Sequence, residues 1–273
     1  SAALFRVGCL EAATRLILAA FIVRWPTAAC ALTINLVAAL LGRLLMNREC
    51  ACFLLNVPVK PTHLLQLRKF INPLVPAIVY YMLQGQISII LLSLYGYSTS
   101  VAELGALGRL GQILSLLTML NPFLVQPVFA RITERAQFIS RTLSVGLSLV
   151  VLSLLCLGSA YLAPALWLSV LGRTYSNLSG QLPLAIAGSL LSLIGATLYT
   201  IVVSRNNTSR QSWTILGGVL GQSTYIVFHG ISSTSNALIV NLIPVMAYAL
   251  TQCLLILLIT RNWSEVTPRS ALD

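Results

Sequence analysis

Eight stretches of this sequence are each long enough and apolar enough to cross a lipid bilayer as a helix. A helix of about 19 residues is roughly 28 Å long, which matches the hydrocarbon core of a membrane. No stretch shows the two-residue alternation of apolar and polar residues that is typical of a strand. The sequence therefore predicts an all-α polytopic membrane protein with eight transmembrane helices, at residues 5–24, 28–46, 71–95, 102–129, 142–170, 182–203, 212–229 and 236–260.

The composition supports the same class of protein. Hydrophobic residues make up 57% of the 273 residues and charged residues 8%, whereas a soluble domain carries about 25% charged residues. The net charge of +11 is typical of membrane proteins whose cytoplasmic loops face anionic lipid headgroups. We therefore expect the lipid bilayer, and no nucleic acid, as a partner.

Basic residues alternate between the two sides of the predicted membrane. Eleven lie in connections on one side and two, Arg24 and Arg173, on the other. Because basic residues concentrate in cytoplasmic loops, both the start of the first helix and the C-terminus are predicted to be cytoplasmic. The eleven residues are Arg48, Lys60, Arg68, Lys69, Arg131, Arg135, Arg141, Arg205, Arg210, Arg261 and Arg269.

The longest connection, residues 47–70, is basic and contains Pro58 and Pro61. It leaves two predicted helices before it and six after it, and six are enough for a complete bundle. We expect the chain to begin partway through a longer protein. The predicted parts are the last two helices of a preceding lobe (1–46), a cytoplasmic connection between lobes (47–70), a six-helix lobe (71–261) and a cytoplasmic tail (262–273).

Arg109 is a lone cation inside an apolar predicted helix, where a charge costs on the order of 2.5–3.5 kcal/mol at the membrane centre. Gly105, Gly108 and Gly111 flank it, and Gln112 lies about one turn further on. The arginine either extends to the outer headgroups or lines an aqueous cavity where it can pair with a pyrophosphate. The glycine spacing does not indicate a nucleotide-binding loop, since no strand precedes it.

Several predicted helices carry polar side chains at helical spacing. Hydrocarbon offers these groups no hydrogen-bond partners, so they are expected to face the interior of the bundle. They either line a cavity suited to sugar hydroxyls and a phosphate or hold helices together through hydrogen bonds. The candidate cavity residues are Arg109, Gln112, Tyr80, Gln84, Ser88, Gln222, Tyr225, Asn241, Tyr248 and Gln252.

Glu11 and Arg15 lie four residues apart in the first predicted helix. They form either a self-neutralising pair near the cytoplasmic end or a pair that couples transport to a proton or to substrate. Pro122 and Pro244 fall inside predicted helices and are expected to kink them. The six cysteines and two histidines lack the spacing of a metal site, so no metal, cofactor or catalytic residue is predicted.

The run from Arg68 to Arg131 resembles the seventh and eighth helices of the polysaccharide (Wzx-type O-antigen) flippases in the multidrug/oligosaccharidyl-lipid/polysaccharide exporter superfamily. The matching features are an amphipathic entry, a helix opening with Pro73 and Pro76, and the segments QISIILLSLYG, VAELGALGRLGQI and QPVFARI. Many relatives carry an acidic residue near Gln86, where this chain has an amide.

That resemblance implies twelve helices in two lobes around a central cavity. It also implies translocation of lipid-linked oligosaccharide for polysaccharide or lipopolysaccharide synthesis across the bacterial inner membrane, by alternating access. The partners would then be the lipid-linked oligosaccharide and the missing N-terminal helices. The alternatives are a drug exporter of the same superfamily, a membrane-embedded polysaccharide-biosynthesis enzyme and a non-transporting membrane scaffold. The short loops and dispersed carboxylates do not favour an enzyme.

Overall fold

The computed structural model describes residues 33, 37, 40–44, 47, 48, 68, 71, 72, 74–205 and 210–263, with the backbone alone at position 173. Contacts between Cα atoms divide the chain into two units, with the boundary between Leu64 and Leu65. The second unit holds almost all of the described residues. The predicted helix 5–24 lies outside the described residues, and the predicted helix 28–46 is described at only a few helical positions.

The described part of the chain is all-α and contains no strand. Its helices are α1 (Leu74–Leu94), α2 (Ser98–Ser115), α3 (Asn121–Ala130), α4 (Arg135–Leu162), α5 (Pro164–Ser169), α6 (Leu182–Val203), α7 (Trp213–His229) and α8 (Thr234–Arg261). Two 3₁₀ segments, Leu116–Leu120 and Arg173–Gly180, lie between them.

Five helical segments of the described residues are long and apolar enough to cross a membrane. They are Leu74–Leu94, Ser98–Ala130, Arg135–Leu162, Leu182–Val203 and Thr234–Arg261. α7 has 17 residues and is shorter than all five. The outer face of α4 is strongly apolar and exposed, with Leu143, Leu147 and Leu154 each about two-thirds accessible. Such a face is unfavourable in water, so the protein is membrane-embedded.

The predicted helix 142–170 is wrong at both ends, and it begins earlier than predicted, at Arg135. α4 ends at Leu162, and Pro164 begins the separate helix α5. Ala163 between them has φ −136° and ψ 58°, because the residue before a proline is disfavoured in the α region. Proline also lacks the N–H that would continue the helical hydrogen bonds.

The span Ser98–Ala130 changes its winding near Pro122. Pro122 has no N–H to donate to the carbonyl of Thr118, four residues earlier. The N–H of Asn121 donates to that carbonyl instead, which closes a 3₁₀ turn. The predicted perturbation at Pro122 therefore takes the form of five 3₁₀ residues between two α-helical halves.

α6 is the most buried of the five spans and packs against α2, α3, α4 and α8. Two apolar clusters surround it. The first lies towards its N-terminal end and includes Leu92, Leu107, Leu110, Leu182, Ile186 and Leu190. The second lies towards its C-terminal end and includes Phe129, Phe138, Ile201, Val202 and Ile259.

α7 packs closely on α8 through glycines. A Cβ atom at Gly221 would lie 2.7 Å from the Cγ2 of Ile243, and one at Gly217 would lie 3.3 Å from the Cβ of Ala247. A Cβ at Gly218 would meet the Tyr80 hydroxyl at 2.5 Å. Small residues of this kind allow helix backbones to approach each other in a membrane.

Contacts at each end of the bundle join elements that the predicted topology places on the same side. At one end the hydroxyl of Thr234, where α8 begins, donates to the carboxylate of Glu103 in α2. At the other end Arg205 donates to the carbonyl of Ile132, and the Trp263 Nε1 donates to that of Thr133 at 3.2 Å. Which end is cytoplasmic remains a prediction from the distribution of basic residues.

Candidate functional site

Two adjoining cavities lie between the helices, the first lined by α1, α2, α6 and α8 and the second by α1, α6 and α8. The first has a volume of about 450 Å³ and the second about 460 Å³. Ser192 of α6 and Val245 of α8 line both of them. The second cavity is also bordered by Gln211, which precedes α7. The helices around both cavities therefore come from the predicted six-helix lobe.

The wall that α2 contributes to the first cavity includes three glycines. Gly105 and Gly108 line it, and a Cβ atom at either position would meet no other atom within 4 Å. At Gly111, by contrast, a Cβ would lie 2.6 Å from the Ser189 hydroxyl. The first two glycines thus leave space for the cavity, while Gly111 permits contact between α2 and α6. Gln112 adds an amide to the same wall.

Asn241 of α8 forms the opposite wall and is held by two residues of α1. Its Oδ1 accepts a hydrogen bond from Ser88 Oγ at 2.7 Å, and its backbone carbonyl accepts one from Gln84 Nε2 at 3.5 Å. Gln84 and Ser88 are both buried. The predicted polar positions of α1 and α8 are thus brought together, with Asn241 and Gln84 lining cavities and Ser88 fixing Asn241.

Three tyrosines line the second cavity. Tyr81 and Tyr248 have ring centroids 4.9 Å apart, and Tyr199 and Tyr248 have centroids 6.2 Å apart. Tyr80 extends this tyrosine cluster, with its centroid 5.2 Å from that of Tyr81, but it does not line the cavity. Tyr81 and Tyr199 were not among the predicted site residues. The one signal for them in the sequence was that each is an aromatic residue with a polar hydroxyl inside an apolar predicted helix.

Gln252, another predicted site residue, is fully buried and pairs with Gln211. The Nε2 of Gln252 donates to the Oε1 of Gln211 at 2.8 Å, and the Nε2 of Gln211 donates back at 3.2 Å. Gln211 lines the second cavity and was not predicted. Little in the sequence indicates that Gln211 belongs to the site, because this residue lies just before α7 begins, outside any predicted helix.

Gln222 and Tyr225 of α7 do not line these two cavities. Gln222 is buried, and its Nε2 has no hydrogen-bond partner among the described residues. The Tyr225 ring stacks on that of His229, with centroids 4.6 Å apart and planes 9° from parallel. The structure therefore separates these two predicted residues from the other polar positions.

Arg109 is exposed on α2 and is not a lining residue of either cavity. It follows directly after Gly108, which lines the first cavity. Among the described residues no hydrogen bond or ion pair involves its side chain. α2 begins at Ser98, four residues before the predicted start, which places Arg109 about 16 Å along the helix at 1.5 Å per residue. To reach the lipid headgroups at the Ser98 end of α2, the Arg109 side chain would have to cover that distance.

The linings of both cavities contain no charged side chain among the described residues. Their polar groups are amides and hydroxyls, which both donate and accept hydrogen bonds, together with the tyrosine rings of the second cavity. Such groups suit a neutral, hydroxyl-rich ligand. Glu11 and Arg15, the predicted coupling pair, lie outside the described residues.

Comparison of the chain with protein-family models, with curated proteins and with solved structures finds no match. The class of protein is therefore defined by the fold itself, which is that of a helical, membrane-embedded protein with two adjoining cavities between its helices, each largely apolar and lined by a few uncharged polar side chains.

Proposed function

We propose that this protein is a transporter that moves a lipid-linked oligosaccharide across a membrane by alternating access. The observation that carries this proposal is the pair of adjoining cavities between membrane-spanning helices, whose largely apolar linings carry several uncharged amides and hydroxyls. Polar surface in the interior of a membrane protein is costly and usually lines a substrate path or a water-filled space. A combined volume near 900 Å³ (about 450 and 460 Å³) fits a few sugar units better than a single ion.

The chemistry of the cavity linings favours a sugar over a cationic drug. A transported cation would be stabilised by a carboxylate, and neither lining contains one among the described residues. Amides and hydroxyls at Gln112, Asn241 and Ser189 match sugar hydroxyls, which are both donors and acceptors. The faces of Tyr81 and Tyr248 offer flat apolar surface to the C–H face of a sugar ring.

The carrier pyrophosphate requires a cation, which Arg109 would supply. Arg109 lies on the exposed face of α2 beside the glycine wall of the first cavity, and it lacks a partner among the described residues. A guanidinium can form two parallel hydrogen bonds to a phosphate. In this arrangement the sugar occupies the cavities and the pyrophosphate pairs with Arg109 at their border.

The remaining parts of the proposal follow from the sequence. Resemblance to the Wzx-type flippases suggests a second lobe that shares a central cavity with this one, and a place in the bacterial inner membrane. The eleven basic residues on one side favour cytoplasmic ends. Glu11 and Arg15 remain candidates for the coupling pair.

The test is a flipping assay with the full chain reconstituted in liposomes. The substrate is a pyrophosphate-linked lipid oligosaccharide with a fluorescent sugar, and an impermeant reductant reports the fraction in the outer leaflet. Wild-type protein should expose the inner-leaflet fraction to the reductant. Gly108→Leu, which fills the first cavity, should slow this exchange strongly.

Gly146→Leu is the matched control. A Cβ atom added at Gly146 of α4 would also meet no other atom within 4 Å, but this residue lines neither cavity. The variant should flip at the wild-type rate. If wild-type liposomes behave like protein-free liposomes, the protein is not a flippase for this substrate. Equal rates for the two leucine variants would instead exclude the first cavity as the path.

A further inference from the structure

A separate groove of about 540 Å³ lies at the end of the bundle opposite Glu103 and Thr234. It is formed where α3 ends, at Ala130, and α4 begins, at Arg135. These are also the ends of two predicted membrane spans, so the groove lies at a membrane boundary. It shares no lining residue with the two cavities described above.

One part of the groove is apolar. Phe123, Leu124 and Val128 of α3 line it and are 49%, 62% and 45% exposed, and Pro127 lies among them. All belong to a segment that is long and apolar enough to span the membrane. This part of the groove therefore faces the hydrocarbon, close to its boundary.

The other part of the groove is basic. Arg131, Gln137 and Arg141 line it, and all three are exposed. Gln137 and Arg141 are four residues apart and so lie on the same face of α4. No ion pair involves either arginine among the described residues. Glu134, the acidic residue nearest in sequence, does not line the groove.

The short connection that carries Arg131 is held in place from the opposite side. Arg205 donates to the carbonyl of Ile132, and its guanidinium lies 4.5 Å from the ring centroid of Trp263 and 5.1 Å from that of Phe138. Burial lowers the pKa of Arg205, and the two aromatic faces and the carbonyl stabilise the cation there. The backbone beside Arg131 is therefore fixed before any ligand binds.

We propose that this groove binds one anionic phospholipid. The headgroup phosphate accepts hydrogen bonds from Arg131, Arg141 and the Gln137 amide, and an acyl chain lies along Leu124 and Val128. Two guanidiniums and an amide at a membrane boundary match a phosphate, and the adjoining apolar surface excludes a free phosphate as the preferred ligand. A zwitterionic lipid binds more weakly because its ammonium group is repelled by both arginines.

The experiment measures lipid retained by the purified full chain, with native mass spectrometry after delipidation and addition of a single lipid. Phosphatidylglycerol should bind as one tightly held molecule, phosphatidylcholine weakly and inorganic phosphate undetectably. Arg131→Gln/Arg141→Gln should weaken the binding of phosphatidylglycerol by about thirtyfold, the factor expected for two basic contacts at a membrane surface.

Arg135→Gln/Arg210→Gln is the matched control, because it removes the same charge from exposed residues outside the groove. It should bind phosphatidylglycerol as wild type does. Val128→Trp, which fills the groove without changing charge, should also weaken binding strongly, and Val150→Trp on the exposed face of α4 should not. These tryptophan variants decide the case if the double arginine variant fails to fold. Equal affinity of the two arginine variants, or of the two tryptophan variants, would overturn the proposal, as would equal binding of phosphatidylcholine or of phosphate alone.

Discussion

Gln211 and Gln252 face each other through two amide hydrogen bonds, although 41 residues separate them in the chain. Gln252 lies in α8, and Gln211 lies in the connection that leads into α7. Both side chains are almost completely buried. Each buried amide therefore satisfies the other, and the pair fixes the entry of α7 against α8.

Loss of both members of this pair should cost less than the sum of the two single losses. Gln252→Leu leaves the Gln211 amide buried and unpaired, which should destabilise the protein by about 1–3 kcal/mol. Gln211→Leu/Gln252→Leu removes the polar groups together and should be clearly less destabilised than the sum of the two single variants. Thermal unfolding in detergent, followed by size-exclusion fluorescence, measures all three. Strict additivity would show that the two amides act independently.

Gly195 should tolerate no side chain, because Tyr248 covers it. A Cβ atom there would lie 2.7 Å from the Cδ1 of Tyr248 and 3.0 Å from its Cε1. Gly195→Ala should therefore displace the ring and destabilise the protein by about 1–3 kcal/mol. It should also disturb the second cavity.

Gly146→Ala provides the comparison, since no atom lies within 4 Å of its Cβ position. This variant should gain stability, by up to about 1 kcal/mol from helix propensity. Thermal unfolding of the two variants gives the difference. A Gly195→Ala protein as stable as Gly146→Ala would mean that Tyr248 moves aside without cost.

Arg109 should be required for flipping but not for folding. Its side chain is exposed and has no partner among the described residues, so Arg109→Ala should leave expression and unfolding temperature nearly unchanged. In the liposome assay the alanine variant should lose flipping, and Arg109→Lys should recover part of it because an ammonium offers a point charge in place of a two-pronged donor. Full activity of the alanine variant would rule out this role.

Cysteines placed at the ends of the helices should react from the side of the membrane that the distribution of basic residues predicts. Single cysteines at Ser98 and Ser233, in an otherwise cysteine-free protein, should react with an impermeant maleimide from outside the cell. Cysteines at Arg135 and Arg210 should react only after the membrane is permeabilised. The described contacts place each pair at a common end of the bundle, so one position with reversed accessibility would contradict the proposed orientation.

Hydropathy located α6 and α8 closely because burial in lipid depends on the average residue composition over a whole turn or more. α6 has the predicted bounds of 182–203, and α8 exceeds its predicted range by a few residues at most. The same averaging hid the break at Ala163, since Pro164 is one residue in an apolar run. A local rule about the residue before proline would have found it.

The candidate site was harder to predict because it depends on how the helices are rotated against one another. Spacing alone placed Gln84 and Asn241 on inward faces, and the structure puts them in contact. Spacing could not reveal that Tyr81, Tyr199 and Tyr248 converge from three helices, or that Gln222 would lie away from the cavities. Those relationships come from tertiary packing, which a single sequence does not display.

The 3₁₀ segment Leu116–Leu120 joins the glycine wall of α2 to α3, which lines the groove at the membrane boundary. A 3₁₀ helix advances about 2.0 Å and turns about 120° per residue, against about 1.5 Å and 100° for an α-helix. Rewinding these five residues into α geometry would shorten the span by about 2.5 Å and turn one half about 100° against the other. Spin-label distances between Ser98 and Ala130 would report such a change. Because Pro122 has no N–H for the carbonyl of Thr118, the 3₁₀ winding is built into the sequence, and it sets the rotation of the half of the span that carries the glycines against the half that carries the groove.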